Sequence, residues 1–173
     1  MKITCTFQIK VRTLQKLKYQ PFNNKTTMKL MEVKIAFTKE NEDGKLQKQQ
    51  QVYLIETLTF ADAESKALEQ VKPFAHLGSD IEVAACKRVT YDRLLLDDAG
   101  AIQGDKAFYK AKVTMTVFDE STGREKPALY NILVEDTDVP AAHKTVQNHL
   151  KDSVNDYTID DVVKTKIHEV ITR

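Results

Sequence analysis

Val33, Ile35 and Phe37 alternate with Lys34, Ala36 and Thr38, the period-two pattern of a strand with one buried face. The polar stretch from Glu40 to Gln51 follows, holding Asp43-Gly44, a favoured hairpin pair. Val52 to Thr57 is then apolar on both faces, since Val52 and Leu54 point opposite to Tyr53 and Ile55. Thr59, with Asp62 three residues on, predicts a helix N-cap. Ala63, Ala67, Leu68, Val71 and Phe74 form an apolar stripe at helical spacing, and Pro73 predicts where the helix stops. Ile81, Val83, Ala85 and Val89 restore the alternation of a third strand.

The same order recurs downstream. Phe108, Val113, Met115 and Val117 fall in a first strand, Ser121-Thr122-Gly123 in a turn, and Leu129 to Val134 in a returning strand. Pro127 lacks an N–H and is expected outside the ladder. Asp138 before Pro140 predicts a second N-cap, with Ala142, Val146 and Leu150 facing inward. Tyr157 to Ile171 reads as one long strand with a bulge near Asp160-Asp161. Gly44 and Gly123, Tyr53 and Ile132, Ile55 and Val134, Glu56 and Glu135, and Ala63 and Ala142 are each 79 positions apart. A fixed spacing held through a hairpin and into a helix marks a duplicated unit.

The expected fold is α+β: two β-β-α-β repeats forming mostly antiparallel sheet, as one sheet or two small ones, with both helices packed on one face. Residues 28–96 form repeat one, 97–107 an acidic linker with Asp97-Asp98-Ala99-Gly100, and 108–173 repeat two, together one globular domain. Residues 1–27 form a basic extension, an extra edge strand or a translated upstream segment if Met28 is the start. With the helices on one face, Val52, Leu54 and Leu133 are left on the other. That face is the expected partner surface, for a protein or a second copy of the chain, with Lys34, Lys87, Arg88 and Lys112 beside it.

Charge sharpens this reading. Six of the 26 basic residues precede residue 28, where there is no acid, leaving 20 basic against 25 acidic residues in 28–173. Phosphate binding needs clustered positive charge, which the repeats lack on balance. Nucleic acid is the second expectation: Tyr53, Tyr91, Phe37, Phe108, Tyr109 and Tyr130 could stack bases if exposed beside Lys34, Lys87, Arg88, Lys110 and Lys112. No apolar run approaches the roughly 18 residues of a membrane span. No apolar leader is visible, so a cytoplasmic protein with Cys5 and Cys86 reduced is expected.

Little in the chain suggests catalysis. His143 and His149 lie six apart, about 600° around a helix, and so point to different sides. Asp97-Asp98, Asp136 with Asp138, and Asp152, Asp156, Asp160 and Asp161 lack the spacing of a calcium loop. Five glycines offer no phosphate-cradling loop and no nucleophile elbow. No enzyme and no cofactor is expected. A small enzyme, or a small-molecule-sequestering protein using the acidic clusters, is the third reading.

The stretches Val52-Tyr53-Leu54-Ile55-Glu56-Thr57-Leu58-Thr59-Phe60-Ala61-Asp62-Ala63-Glu64 and Asn155-Asp156-Tyr157-Thr158-Ile159 resemble an uncharacterised family. Its members are small two-repeat proteins of gut bacteria, their phages and mobile elements. The resemblance covers residues 29–171 and implies an accessory protein, with no activity, cofactor or site residue to transfer.

Overall fold

The structure is a computed structural model that describes residues 30–78, 80–96 and 105–172. The expectations for residues 1–27 and most of the acidic linker lie outside these. The elements are β1 (Leu30–Glu40), β2 (Leu46–Glu56), α1 (Phe60–Val71), β3 (Glu82–Val89), β4 (Arg93–Leu95), β5 (Ala107–Asp119), β6 (Arg124–Asp136), α2 (Val139–Leu150), β7 (Tyr157–Lys164) and β8 (Ile167–Ile171).

The α+β class and the two β-β-α-β units are as expected. In each unit a hairpin is followed by a helix and a third strand that pairs antiparallel with the first: β3 with β1, and β7 with β5. Gly44 and Gly123 take positive φ in the two turns (+74° and +66°), a region closed to most L-residues. Thr59 Oγ1 accepts from the Asp62 N–H, and Asp138 Oδ1 accepts from the Ala141 N–H, as helix caps. Both third strands carry a bulge, at Ala84 opposite Lys34 and Ile35, and at Asp160 opposite Lys112 and Val113. Only the second is legible from the residues.

A reciprocal exchange joins the units. After β3 the chain crosses to the other sheet, where β4 lies parallel to β6; after β7 it crosses back, and β8 lies parallel to β2. The result is two four-stranded sheets ordered β3-β1-β2-β8 and β4-β6-β5-β7. Leu94 opposite Leu133 thus answers Val170 opposite Leu54. The expected long last strand is two strands in different sheets, parted at Thr165-Lys166. Leu94-Leu95, read as the end of repeat one, belongs to a strand of the second sheet.

The helices do not share a face. Ala63, Ala67 and Val71 of α1 pack on Met31, Val33, Ile35, Phe37, Tyr53 and Ile55. Ala142, Val146 and Leu150 of α2 pack on Tyr109, Ala111, Val113, Met115, Ile132 and Val134. The alternate residues of both sheets meet in a third layer, holding Leu30, Leu54, Tyr91, Phe108, Leu133, Ile167 and Val170. Each helix therefore covers the outer face of its own sheet, and the inner faces bury one another. Phe74 lies beyond the end of α1 and is exposed rather than part of its stripe. Pro127 sits within β6 opposite Thr116, where β4 does not reach and, among the described residues, no second neighbour needs its N–H.

Candidate functional site

Val52, Leu54 and Leu133 do not form an exposed partner face. Leu54 and Leu133 have no accessible surface, because the two-sided apolar strands that contain them are central strands between a helix and the opposite sheet. Val52 is half-buried at the margin of that layer. Arg88 lies away from it, its guanidinium 5.8 Å from the Phe60 ring at the start of α1.

The lysines gather where the apolar layer ends. A cleft of about 550 Å³ opens between the inner faces, floored by Val52 and Ile167 and lined by Glu32, Lys34, Lys87, Lys110 and Lys166. Both crossovers border it, one through Val89, Thr90 and Tyr91, the other through Thr165, Lys166 and Ile167. The matched pairs of β4 and β8 make those two segments equivalent, so the cleft lies where the internal symmetry brings the units together. Lys34 opposite Val52 on β1 and Lys112 opposite Asn131 on β5 are symmetry equivalents. Lys112 extends the basic row two residues beyond Lys110 on the same side of β5.

The lining carries four ammonium groups against one carboxylate. Glu32 Oε1 accepts from Lys87 Nζ at 2.8 Å, a pair at the cleft mouth. Lys110 Nζ stands 5.9 Å from the Tyr91 ring, within cation–π range. Burial, and then the charge of Glu32, push the Tyr91 hydroxyl up to about 12, so it stays neutral. Thr165 is fixed by its N–H and Oγ1, which both donate to the Phe108 carbonyl at 2.8 Å. The site therefore offers long-stemmed cations beside a crossover held by hydrogen bonds, suited to an anionic group entering from solvent.

Of the residues the sequence singled out, Lys34, Lys87 and Val52 come together here, with Lys112 adjoining. Leu54, Leu133 and Arg88 do not. Lys110 enters the sequence reading only as a neighbour of aromatics, and Lys166, Thr90 and Thr165 not at all. The one available signal was the lysine alternation on the non-helix side of each first strand, at Lys34 and at Lys110 and Lys112. Tyr53, Tyr91, Phe37, Phe108 and Tyr109 are buried and Tyr130 is half-buried, so these rings form no exposed base-stacking platform.

Residues 29–173 match the family described as Domain of unknown function (DUF4494). The chain belongs to this family. The DUF4494 match takes in every strand and both helices of the described residues, and hence both walls of the cleft. No curated protein and no solved structure matches the chain. No helix is long and apolar enough to cross a membrane among the described residues.

Three of the clustered acidic side chains accept hydrogen bonds that hold the fold, while Asp97-Asp98 lie outside the described residues. Asp136 accepts from Thr137 and Thr145, Asp138 caps α2, and Asp160 accepts from Thr114. Among the described residues no three His, Cys, Asp or Glu side chains group as metal ligands. Cys86 packs half-buried against the α1 core, and burial, then Glu64, push its thiol up.

Proposed function

We propose that this protein is a non-enzymatic binding module whose inter-sheet cleft takes an acidic segment of a partner protein. It acts in the cytoplasm as an accessory protein of the phage or mobile-element type that the sequence resemblance implies. The observation that carries the reading is the convergence of Lys34, Lys87, Lys110 and Lys166 around one cleft with a single carboxylate. Long flexible ammonium groups suit point contacts with carboxylates along an extended segment. Burial of the aromatics favours a protein over a single-stranded nucleic acid, since sequence-tolerant strand binding draws on base stacking. The structural use of Asp136, Asp138 and Asp160 supports binding over catalysis.

Fluorescence anisotropy with a labelled oligoglutamate peptide and an oligothymidylate of matched charge tests this at low salt. Oligoglutamate binds the wild type and is lost in a Lys34→Ser, Lys110→Ser, Lys166→Ser variant that keeps its circular dichroism. Tighter binding of the oligonucleotide, or equal peptide binding by the variant, overturns the reading.

A further inference from the structure

A second surface lies along the part of β2 that its outer neighbour leaves uncovered. β2 has β1 along its whole length on one side, but on the other β8 pairs only with Val52–Ile55. Among the described residues the outer edge of Leu46–Gln51 is therefore unpaired, and an unpaired edge is a template for another strand. The edge strands of the two sheets are blunted: β3 and β7 by bulges at Ala84 and Asp160, and β4 and β8 by their lengths of three and five residues. The counterpart stretch on β6 reads Glu125-Lys126-Pro127-Ala128-Leu129-Tyr130, which opens on two charges and is short of an N–H at Pro127. β2 instead reads Leu46-Gln47-Lys48-Gln49-Gln50-Gln51, with one charge and no proline.

We propose that this edge pairs with the same edge of a second copy, antiparallel about a two-fold axis at Gln49. The composition points to a copy of itself, because an amide side chain is both donor and acceptor, so a row of glutamines complements its own image. The register follows from three constraints. Directly opposed residues must point to the same face, so only a residue, not a peptide bond, can sit opposite itself. β8 blocks pairing beyond Gln51. Lys48 opposite Lys48 would set like charges together. Centring on Gln49 satisfies all three: Lys48 faces Gln50, Gln47 faces Gln51, and each sheet continues into its partner's. Leu46, 58% exposed at the head of the strand, gains cover at the ends of the joint.

Light scattering on the full chain gives twice its 19.7 kDa mass at high concentration. Gln49→Cys in a Cys5→Ser, Cys86→Ser background forms a covalent dimer on oxidation, since directly opposed residues lie about 4.5–5.5 Å apart between Cα atoms, within disulfide range. Glu125→Cys in the same background does not. Gln49→Lys and Gln49→Glu each raise the dissociation constant by up to roughly fivefold, and an equimolar mixture of the two restores or exceeds wild-type association. A wild-type monomer with no cross-link at position 49 overturns the proposal. So does a monomer whose Lys48 and Gln50 amides, which point away from β1, resist hydrogen exchange, since that would place another strand on the edge. Neither result touches the cleft reading, whose peptide assay does not depend on association.

Discussion

Asp92 and Asn131 hold each other by two hydrogen bonds. The Asp92 N–H donates to the Asn131 carbonyl at 2.8 Å, and the Asn131 N–H donates to Asp92 Oδ2 at 2.8 Å. Asp92 belongs to the first unit's crossover and Asn131 to the second unit's central strand, so this clasp fixes where β4 joins its host sheet and positions Tyr91 at the cleft.

Replacing the carboxylate tests the clasp. Asp92→Ala leaves the part-buried Asn131 N–H without its acceptor and costs about 1–3 kcal/mol in urea unfolding. Asp92→Asn keeps an acceptor and costs less. Equal stability of wild type and Asp92→Ala would show the clasp to be ornamental.

Leu54 and Leu133 are equivalent residues of the two units, buried in the layer between the sheets. Each change to Ala costs about 2–5 kcal/mol, from lost transfer energy and a residual cavity. Because both side chains fill one layer, the double variant departs from additivity by about 0.5–3 kcal/mol. Equilibrium denaturation of the two single variants and the double variant measures this. Additive costs would mean that the halves are stabilised independently.

That layer also shows what the sequence could and could not convey. The apolar run Val52–Ile55 announced two covered faces, and the spacing of Gly44 and Gly123 announced two copies. Hairpins, caps and helix ends follow from residues a few positions apart, so they were legible. What covers the second face was not, because alternation reports burial but not its partner: a second sheet of the same chain and a foreign protein leave the same pattern at Leu54 and Leu133. Arg93-Leu94-Leu95 is too short to show a period, and its role as β4 is set by a partner strand nearly forty residues away. The cleft suffered the same limit, since Lys34, Lys87, Lys110 and Lys166 converge only once both crossovers are made.

Tyr53 and Tyr91 give a prediction in alkali. Burial first, and then nearby Glu169 and Glu32, push their hydroxyls from 10.0 up to about 12. Between those values the unfolded chain loses phenolic protons that the native protein keeps, so unfolding releases protons. The contribution is fully present below about pH 10 and is lost as the pH rises toward about 12. In Tyr91→Phe the fall in stability across that window is shallower than in wild type. Urea midpoints at stepped pH, with phenolate absorbance followed in parallel, check both the slope and its origin. An unchanged slope in Tyr91→Phe would assign the alkaline loss elsewhere.

Gly123 separates backbone conformation from packing in the second hairpin. Its φ is +66°, its N–H donates to the Asp119 carbonyl at 2.8 Å, and a Cβ built there meets nothing within 4 Å. Gly123→Ala therefore introduces no clash with a neighbour, and its cost of about 1–2 kcal/mol is that of holding an L-residue in the left-handed region. Gly123→Asn costs less, since asparagine tolerates that region better than alanine. Thermal unfolding of the two variants orders them wild type, Asn, Ala. If Ala equals wild type, the turn relaxes out of the left-handed conformation, and the glycine shared with position 44 reflects descent rather than geometry.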